Sequence, residues 1–183
     1  MNALLASLRI TVATMAICVA GYSAAVWAFA QAAVSHTAEA SLILNQDGTV
    51  VGSSQIAQAF TEPRYFWPRP SAVDYNAAGA GGSNKSPTSP EIAERGREIA
   101  AAYGATSDNP LPAELAAASG AGLDPHISEA GALYQAARIA EARDLSAEEV
   151  ETLIRRDAFA PGGFLGPDRI VNVLELNLAL DAL

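Results

Sequence analysis

The chain has 183 residues, and its 20 Asp and Glu against 11 Lys and Arg give a formal charge of −9. That balance argues against nucleic acid, whose phosphates demand a basic surface. A single cysteine, Cys18, excludes an internal disulfide and a cysteine-ligated metal centre.

The most informative stretch lies near the start. Ile10 to Val34 contains no Asp, Glu, Lys or Arg, and a membrane-spanning helix needs about 20 mostly apolar residues to cross the hydrocarbon. Its Ala, Gly, Ser and Thr would let another helix pack closely. Arg9 is the only charged residue before it and Glu39 the first after it. The positive-inside bias then keeps residues 1–9 in the cytoplasm, runs 10–34 through the bilayer and sends 35–183 outside. A secretory signal peptide is the rival reading, since Ala28-Phe29-Ala30 and Ala30-Gln31-Ala32 are small-x-small cleavage sites. The length of the apolar run favours a retained anchor, and either way the rest of the chain is extracytoplasmic.

Residues 35–41 read as a short polar neck. Leu42 to Leu44, the turn residues Asn45-Gln46-Asp47-Gly48, and Thr49 to Gly52 predict a β-hairpin. Ser53 to Phe60 is expected to turn into a short helix. Residues 61–90 carry Pro63, Pro68, Pro70, Pro87 and Pro90, which forbid a long helix or an inner strand. Tyr65, Phe66, Trp67 and Tyr75 are too many aromatics for a disordered linker, so this segment is expected to be an ordered, functional loop. Rings so close to an anchor also suit the membrane interface.

Ser89-Pro90-Glu91 opens a helix that runs to about Tyr103 and stops at Gly104, with Ile92, Ile99 and Tyr103 on one apolar stripe. A short Ala-rich helix is expected over Ala113 to Ala118, followed by a tight loop from Ser119 to Ser128. Ser128 should cap a helix from Glu129 to about Ala142, with Leu133, Ala137 and Ile139 facing inward. Ser146-Ala147-Glu148-Glu149 is a capping-box pattern for a helix to about Arg156. After the turn residues Gly162-Gly163 and Gly166-Pro167, Ile170 to Val173 reads as a strand and the rest as a helix. The fold class is a single N-terminal transmembrane helix followed by one α+β extracytoplasmic domain.

Catalytic chemistry finds little footing. Asp124, His126 and Ser128 suggest a triad, but such groups converge from separate segments; local capping and packing is the better reading. His36 and His126 are the only histidines, which leaves no helical His pair for zinc. Gly79 to Ser86 has the flavour of a phosphate loop, yet Lys85 does not follow a glycine at the required spacing. Arg64 and Arg69, set among aromatics, suit stacking, bidentate contacts or an ion pair. The residues point to a membrane-anchored, non-catalytic binding or assembly domain.

Five ordered motifs make a family resemblance. GSSQIAQAF lies at 52–60 and PRYFWPRPSAVDYN at 63–76, supplying Tyr65, Phe66, Trp67, Arg69, Pro70, Ser71, Tyr75 and Asn76. GGSN at 81–84 supplies Gly82, Ser83 and Asn84, and ASGAGLDPHIS at 118–128 supplies Asp124, Pro125, His126 and Ser128. RIVNVLELNLALD at 169–181 supplies Asn172 and Asn177. Together they resemble the C subunit of the bacterial potassium-transporting Kdp P-type ATPase; Lys85, where an aliphatic residue is expected after GGSN, is a departure.

The resemblance implies an accessory subunit in the inner membrane. Its partners would be a channel-like potassium-binding subunit, an ATP-hydrolysing P-type subunit and a possible small membrane subunit. It implies no catalytic residue, metal or cofactor of the chain's own, help in assembly, and a catalytic-chaperone role in which the hydrolysing subunit binds ATP more tightly. ATP is used in the cytoplasm, whereas the domain is placed outside, so direct ATP contact has no support in the residues. The aromatic loop 63–76 would clamp the transporter's outer surface, with Phe66 and Trp67 as its anchors unless those rings are core. A soluble periplasmic binding or scaffolding protein released by cleavage is the alternative.

Overall fold

The computed structural model describes residues 2–45, 47–166 and 168–183, Phe164 by its backbone alone. Gln46 of the expected hairpin turn and Pro167 of the expected Gly-Pro turn lie outside the described residues. The chain forms two compact units, Met1–Leu42 and Ile43–Leu183.

In the first unit, α1 (Asn2–Met15), a π-helical turn (Ala16–Gly21) and α2 (Tyr22–Ala33) form one continuous helix of 32 residues. It starts at Asn2, before Ile10, and takes in Arg9. Two hydroxyls inside it are satisfied locally: Ser7 Oγ donates to the Leu4 carbonyl, and Thr14 Oγ1 to those of Ile10 and Thr11. This is what a hydrocarbon environment requires of a hydroxyl. The helix ends where Val34 leaves helical geometry at φ −144°, ψ 48°, and one turn, α3 (Ser35–Ala38), follows.

β1 (Leu42–Leu44) and β2 (Val50–Ser53) pair as expected of the hairpin. The helix expected over Ser53 to Phe60 does not form. The Ser53 hydroxyl accepts from the Gln55 amide, and the Ala57 amide donates to the Leu123 carbonyl rather than to a helical partner. The segment is tied down by its neighbours, and tertiary contacts override local preference. α4 (Pro90–Ala102) matches the sequence, with Gly104 at φ +65° just past its end. Ser89 holds the N-cap position in extended geometry, but its side chain makes no capping bond.

α5 is shorter than expected (Ala113–Ala116), and the expected loop at 119–128 ends in a strand, β3 (His126–Ser128). α6 (Glu129–Arg143) is capped by Ser128 Oγ, which accepts from the Gly131 amide. Its inner face carries Ala132, Gln135, Ala136, Ile139 and Ala140, whereas Ala137 is exposed. α7 (Ala147–Asp157) has the full capping box of Ser146 and Glu149. A 3₁₀ turn (Gly163–Leu165) leads to β4 (Ile170–Asn172), and α8 (Val173–Asp181) closes the chain. Val173 therefore opens the helix instead of ending the strand, because the Asn172 side chain accepts from the Glu175 amide as an N-cap.

β3 and β4 are antiparallel, with Ile127 opposite Val171. Both side chains enter a core with Leu115, Ile139, Val150, Ile154, Leu176 and Leu180, so α6, α7 and α8 pack around this short ribbon. This is the α+β domain read from the sequence. It positions the long loop 61–89, which crosses the core between Gln135 on α6 and Asn177 on α8.

Candidate functional site

The aromatic loop is held by two buried amides. The Asn177 side chain takes the Phe66 amide at 2.8 Å and gives its own N–H to the Phe66 carbonyl at 3.0 Å. One residue on, Gln135 does the same for Trp67, accepting from its amide at 2.8 Å and donating to its carbonyl at 3.1 Å. Each side-chain amide thus takes the place of a neighbouring strand for a loop whose prolines exclude a ladder. Gln135 and Asn177 are 1% and 2% exposed; the bonds to Phe66 are buried and those to Trp67 part-buried.

Arginines finish the clamp. The Arg138 guanidinium lies 3.9 Å from the Trp67 ring centroid, donates to the Pro63 and Tyr65 carbonyls and bonds Gln135 Oε1. Arg143 donates to the Arg64 carbonyl and pairs with Asp181 at 2.5 Å, and Tyr65 Oη reaches the same carboxylate at 3.1 Å. Arg64 stacks over Tyr65 at 5.6 Å. Phe66 is fully buried, a core residue rather than a surface anchor. Trp67 and Tyr65 keep exposed edges, and Trp67 meets Tyr103 edge-on at 5.0 Å. Trp67 and Tyr103, with Phe60, Pro70 and Tyr75, line an apolar hollow of about 320 Å³. Burial pushes the Tyr103 hydroxyl well above its ordinary range.

The second half of the loop docks on the 119–126 segment. The Ser119 amide donates to the Pro70 carbonyl, Ser71 Oγ to the Gly122 carbonyl and the Gly81 amide to the Ala121 carbonyl. Ser71 Oγ also accepts from the Val73 and Tyr75 amides, and Tyr75 Oη donates to the Arg69 carbonyl. Gly82 approaches so closely that a Cβ there would lie 2.8 Å from the Gly120 carbonyl oxygen. Asn76 and Asn84 sit at the exposed rim, Asn84 at φ +51°. Three of the motifs thus form one joint, with Ser83 beside it.

Asp124 and Arg69 pair at 3.1 Å, which settles Arg69 as an ion-pair residue. His126 Nδ1 lies 3.6 Å from Asp124, and its ring meets Phe159 edge-on at 5.8 Å. The His126 imidazole, its amide and Arg69 together hold the Asp124 carboxyl below its ordinary value, against burial. Ser128 points elsewhere: its hydroxyl and amide both bond Glu114. Asp124, His126 and Ser128 therefore form no triad, and each serves local structure. Pro125 supplies the carbonyl for the Val173 amide, and Asn172 Nδ2 donates to the Ser54 carbonyl at 2.7 Å.

Gln135, Arg138, Arg143 and Glu114 are the residues that sequence reasoning missed. Gln135 and Arg138 sit at i and i+3 on one helix, and a Gln on an otherwise Ala-rich inner face was the available signal.

Comparison with known proteins follows the same motifs. Residues 4–182 match the family model described as "KdpC: K+-transporting ATPase, c chain". A potassium-transporting ATPase KdpC subunit of Parvibaculum lavamentivorans is 72% identical over 181 residues, covering 99% of this chain and 97% of the relative. The KdpC subunit of Methylococcus capsulatus is 51% identical and covers 77% of each chain. That of Paraburkholderia phytofirmans is 47% identical and covers 87% of this chain and 86% of the relative. With one apolar N-terminal helix, a mixed helix and strand domain and a match over nearly its whole length, the chain belongs to the KdpC family, the c chain of the K+-transporting ATPase.

Proposed function

We propose that this chain is the non-catalytic accessory subunit of an ATP-driven potassium uptake complex, anchored in the inner membrane with its α+β domain on the periplasmic side. The observation that carries the reading is the Asn2–Ala33 helix, whose most apolar window has no residue buried in the chain's own fold. Leu8, Val12, Ile17, Val19 and Trp27 all stand exposed there. A surface of that size needs lipid or partner helices to cover it. The channel-like and ATP-hydrolysing subunits, with a small membrane subunit, are the partners this proposal assigns.

The clamped loop gives the mechanism its second part. A loop fixed by Gln135, Asn177, Arg138 and Arg143 presents Tyr65 and Trp67 without an ordering cost on docking, which favours a preorganised brace. On this reading the chain strengthens nucleotide use by the hydrolysing subunit through the span and through packing on its partners' outer faces. Its acidic character disfavours direct contact with a polyphosphate.

The test is a C-terminally tagged chain purified from membranes in mild detergent. The reading expects a P-type ATPase and a channel-like subunit at fixed ratio to an intact chain. A lone soluble protein beginning near Gln31 would overturn it in favour of the cleaved alternative.

A further inference from the structure

A cavity of about 340 Å³ opens between the 82–85 loop and the first turns of α4, lined by Ser71, Gly82, Ser83, Lys85, Glu91 and Arg95. Its charges do not balance. Lys85 Nζ and Glu91 Oε2 lie 2.5 Å apart and neutralise each other. Arg95 remains, half-buried, with no hydrogen bond or ion pair to any described residue and its Nε shut off from solvent. Arg69 and Arg138 also carry a shielded, unbonded Nε, but they and Arg143, the other half-buried arginines, each bond a carboxylate or a carbonyl through another guanidinium nitrogen, which Arg95 does not. An unpartnered guanidinium is out of place in a chain with 20 carboxylates to 11 basic groups. A shielded donor left unmade carries a desolvation cost.

The walls are also prepared. Ser71 is fully engaged, donating to Gly122 and accepting from two amides, which fixes one side. Gly82 is pinned by its close approach to Gly120. Ser83 is different: its hydroxyl makes no hydrogen bond to any described residue, so a second donor stands free in the lining that Arg95 shares.

We propose that this cavity receives the carboxylate of an acidic side chain on a partner subunit, taken by the Arg95 fork with Ser83 Oγ as the second donor. A planar guanidinium matches a carboxylate with two parallel bonds. The cavity's net charge of one positive is neutralised by one such group. The chain's overall negative field depletes small free anions, whereas a carboxylate carried on a docked partner arrives at high effective concentration. The inference rests on the assignment to the complex made above.

The experiment measures partner subunits retained by the tagged chain over a rising potassium chloride series. Arg95→Gln should weaken retention about tenfold, as loss of a charge-assisted pair does, and flatten its salt dependence. Arg95→Lys should fall between Arg95→Gln and wild type, and Ser83→Ala should weaken retention less than Arg95→Gln. Glu91→Gln should act in the opposite direction, because it leaves Lys85 free to add positive charge. Thermal melting of each purified chain, unchanged by Arg95→Lys and Ser83→Ala, separates docking from folding.

Arg95→Gln indistinguishable from wild type at every salt concentration would overturn the inference while leaving complex membership standing. A parallel loss in Arg95→Gln and Glu91→Gln would overturn it too, by making the two an intrahelical pair. So would acetate raising the melting temperature of the partner-free wild type, but not of Arg95→Gln, at matched ionic strength, since a free carboxylate would then be the occupant. A wild type that holds no partner at low salt would defeat complex membership and this inference together.

Discussion

Asn177→Leu asks whether a side-chain amide really replaces a strand. Leucine is close to asparagine in shape, so the change leaves little cavity and removes the hydrogen bonds alone. It strands the Phe66 amide and carbonyl, both served by Asn177 and both beneath a ring that is 0% exposed. A buried group without its partner costs about 1–3 kcal/mol, so the pair costs about 2–6 kcal/mol. Against a total stability of about 5–15 kcal/mol for a domain, that is a large share. The assay is urea unfolding of the detergent-solubilised full chain, followed by Trp67 fluorescence in a Trp27→Phe background. The midpoint should fall with the slope unchanged. Gln135→Leu should cost a similar amount, and the double variant less than the sum, because a loop freed at Phe66 has already lost its hold at Trp67. A loss below about 1 kcal/mol, smaller than one orphaned group costs, would refute the reasoning.

Phe66→Ala should destabilise the domain by about 3–5 kcal/mol, the usual loss for a fully buried Phe, measured by the same unfolding curve. Gly122→Ala should destabilise and disturb the joint, since φ is +69° and the new Cβ would lie 2.6 Å from Val73 Cγ2 and 3.0 Å from the Gly81 carbonyl oxygen; amide exchange at Gly81 and Ser119 reads the effect. Ser146→Ala should cost about 1 kcal/mol through loss of the α7 capping box, read as a lower melting temperature. Asp124 has a folded pKa below its ordinary 3.8, so the stability it contributes is present above that value and is lost as pH falls through the folded pKa. Asp124→Asn should therefore flatten the acid limb of the stability profile; an unchanged limb would remove Asp124 from it.

Periodicity and capping made much of the architecture legible beforehand. The apolar run, the Asp-Gly hairpin, the Pro90 helix, the Ser128 cap and the Ser146–Glu149 box are all local signals, and each marks an element that forms, although the first helix begins at Asn2 rather than Ile10. What escaped was non-local. Ser53 to Phe60 has helix-compatible residues, yet Leu123 takes the Ala57 amide, and nothing near 57 announces that partner. His126 to Ser128 is too short to show alternation and becomes a strand only because Ile170 to Asn172 lies beside it. The aromatics of 65–67 told that the loop is ordered; the groups that order it lie 68 and 111 residues away, in amides that a periodicity count treats as ordinary helix positions.

We propose that this subunit works from the outer face of the membrane, through its span and not by touching ATP. The proposal is tested most directly with a membrane-impermeant maleimide on intact cells, in a Cys18→Ser background with one new cysteine at a time. Ala77→Cys, on the exposed loop, should label in intact cells, whereas Asn2→Cys, at the start of α1, should label only after the inner membrane is opened. Ala77→Cys protected until the membrane is opened would place the domain on the ATP side and overturn the periplasmic assignment.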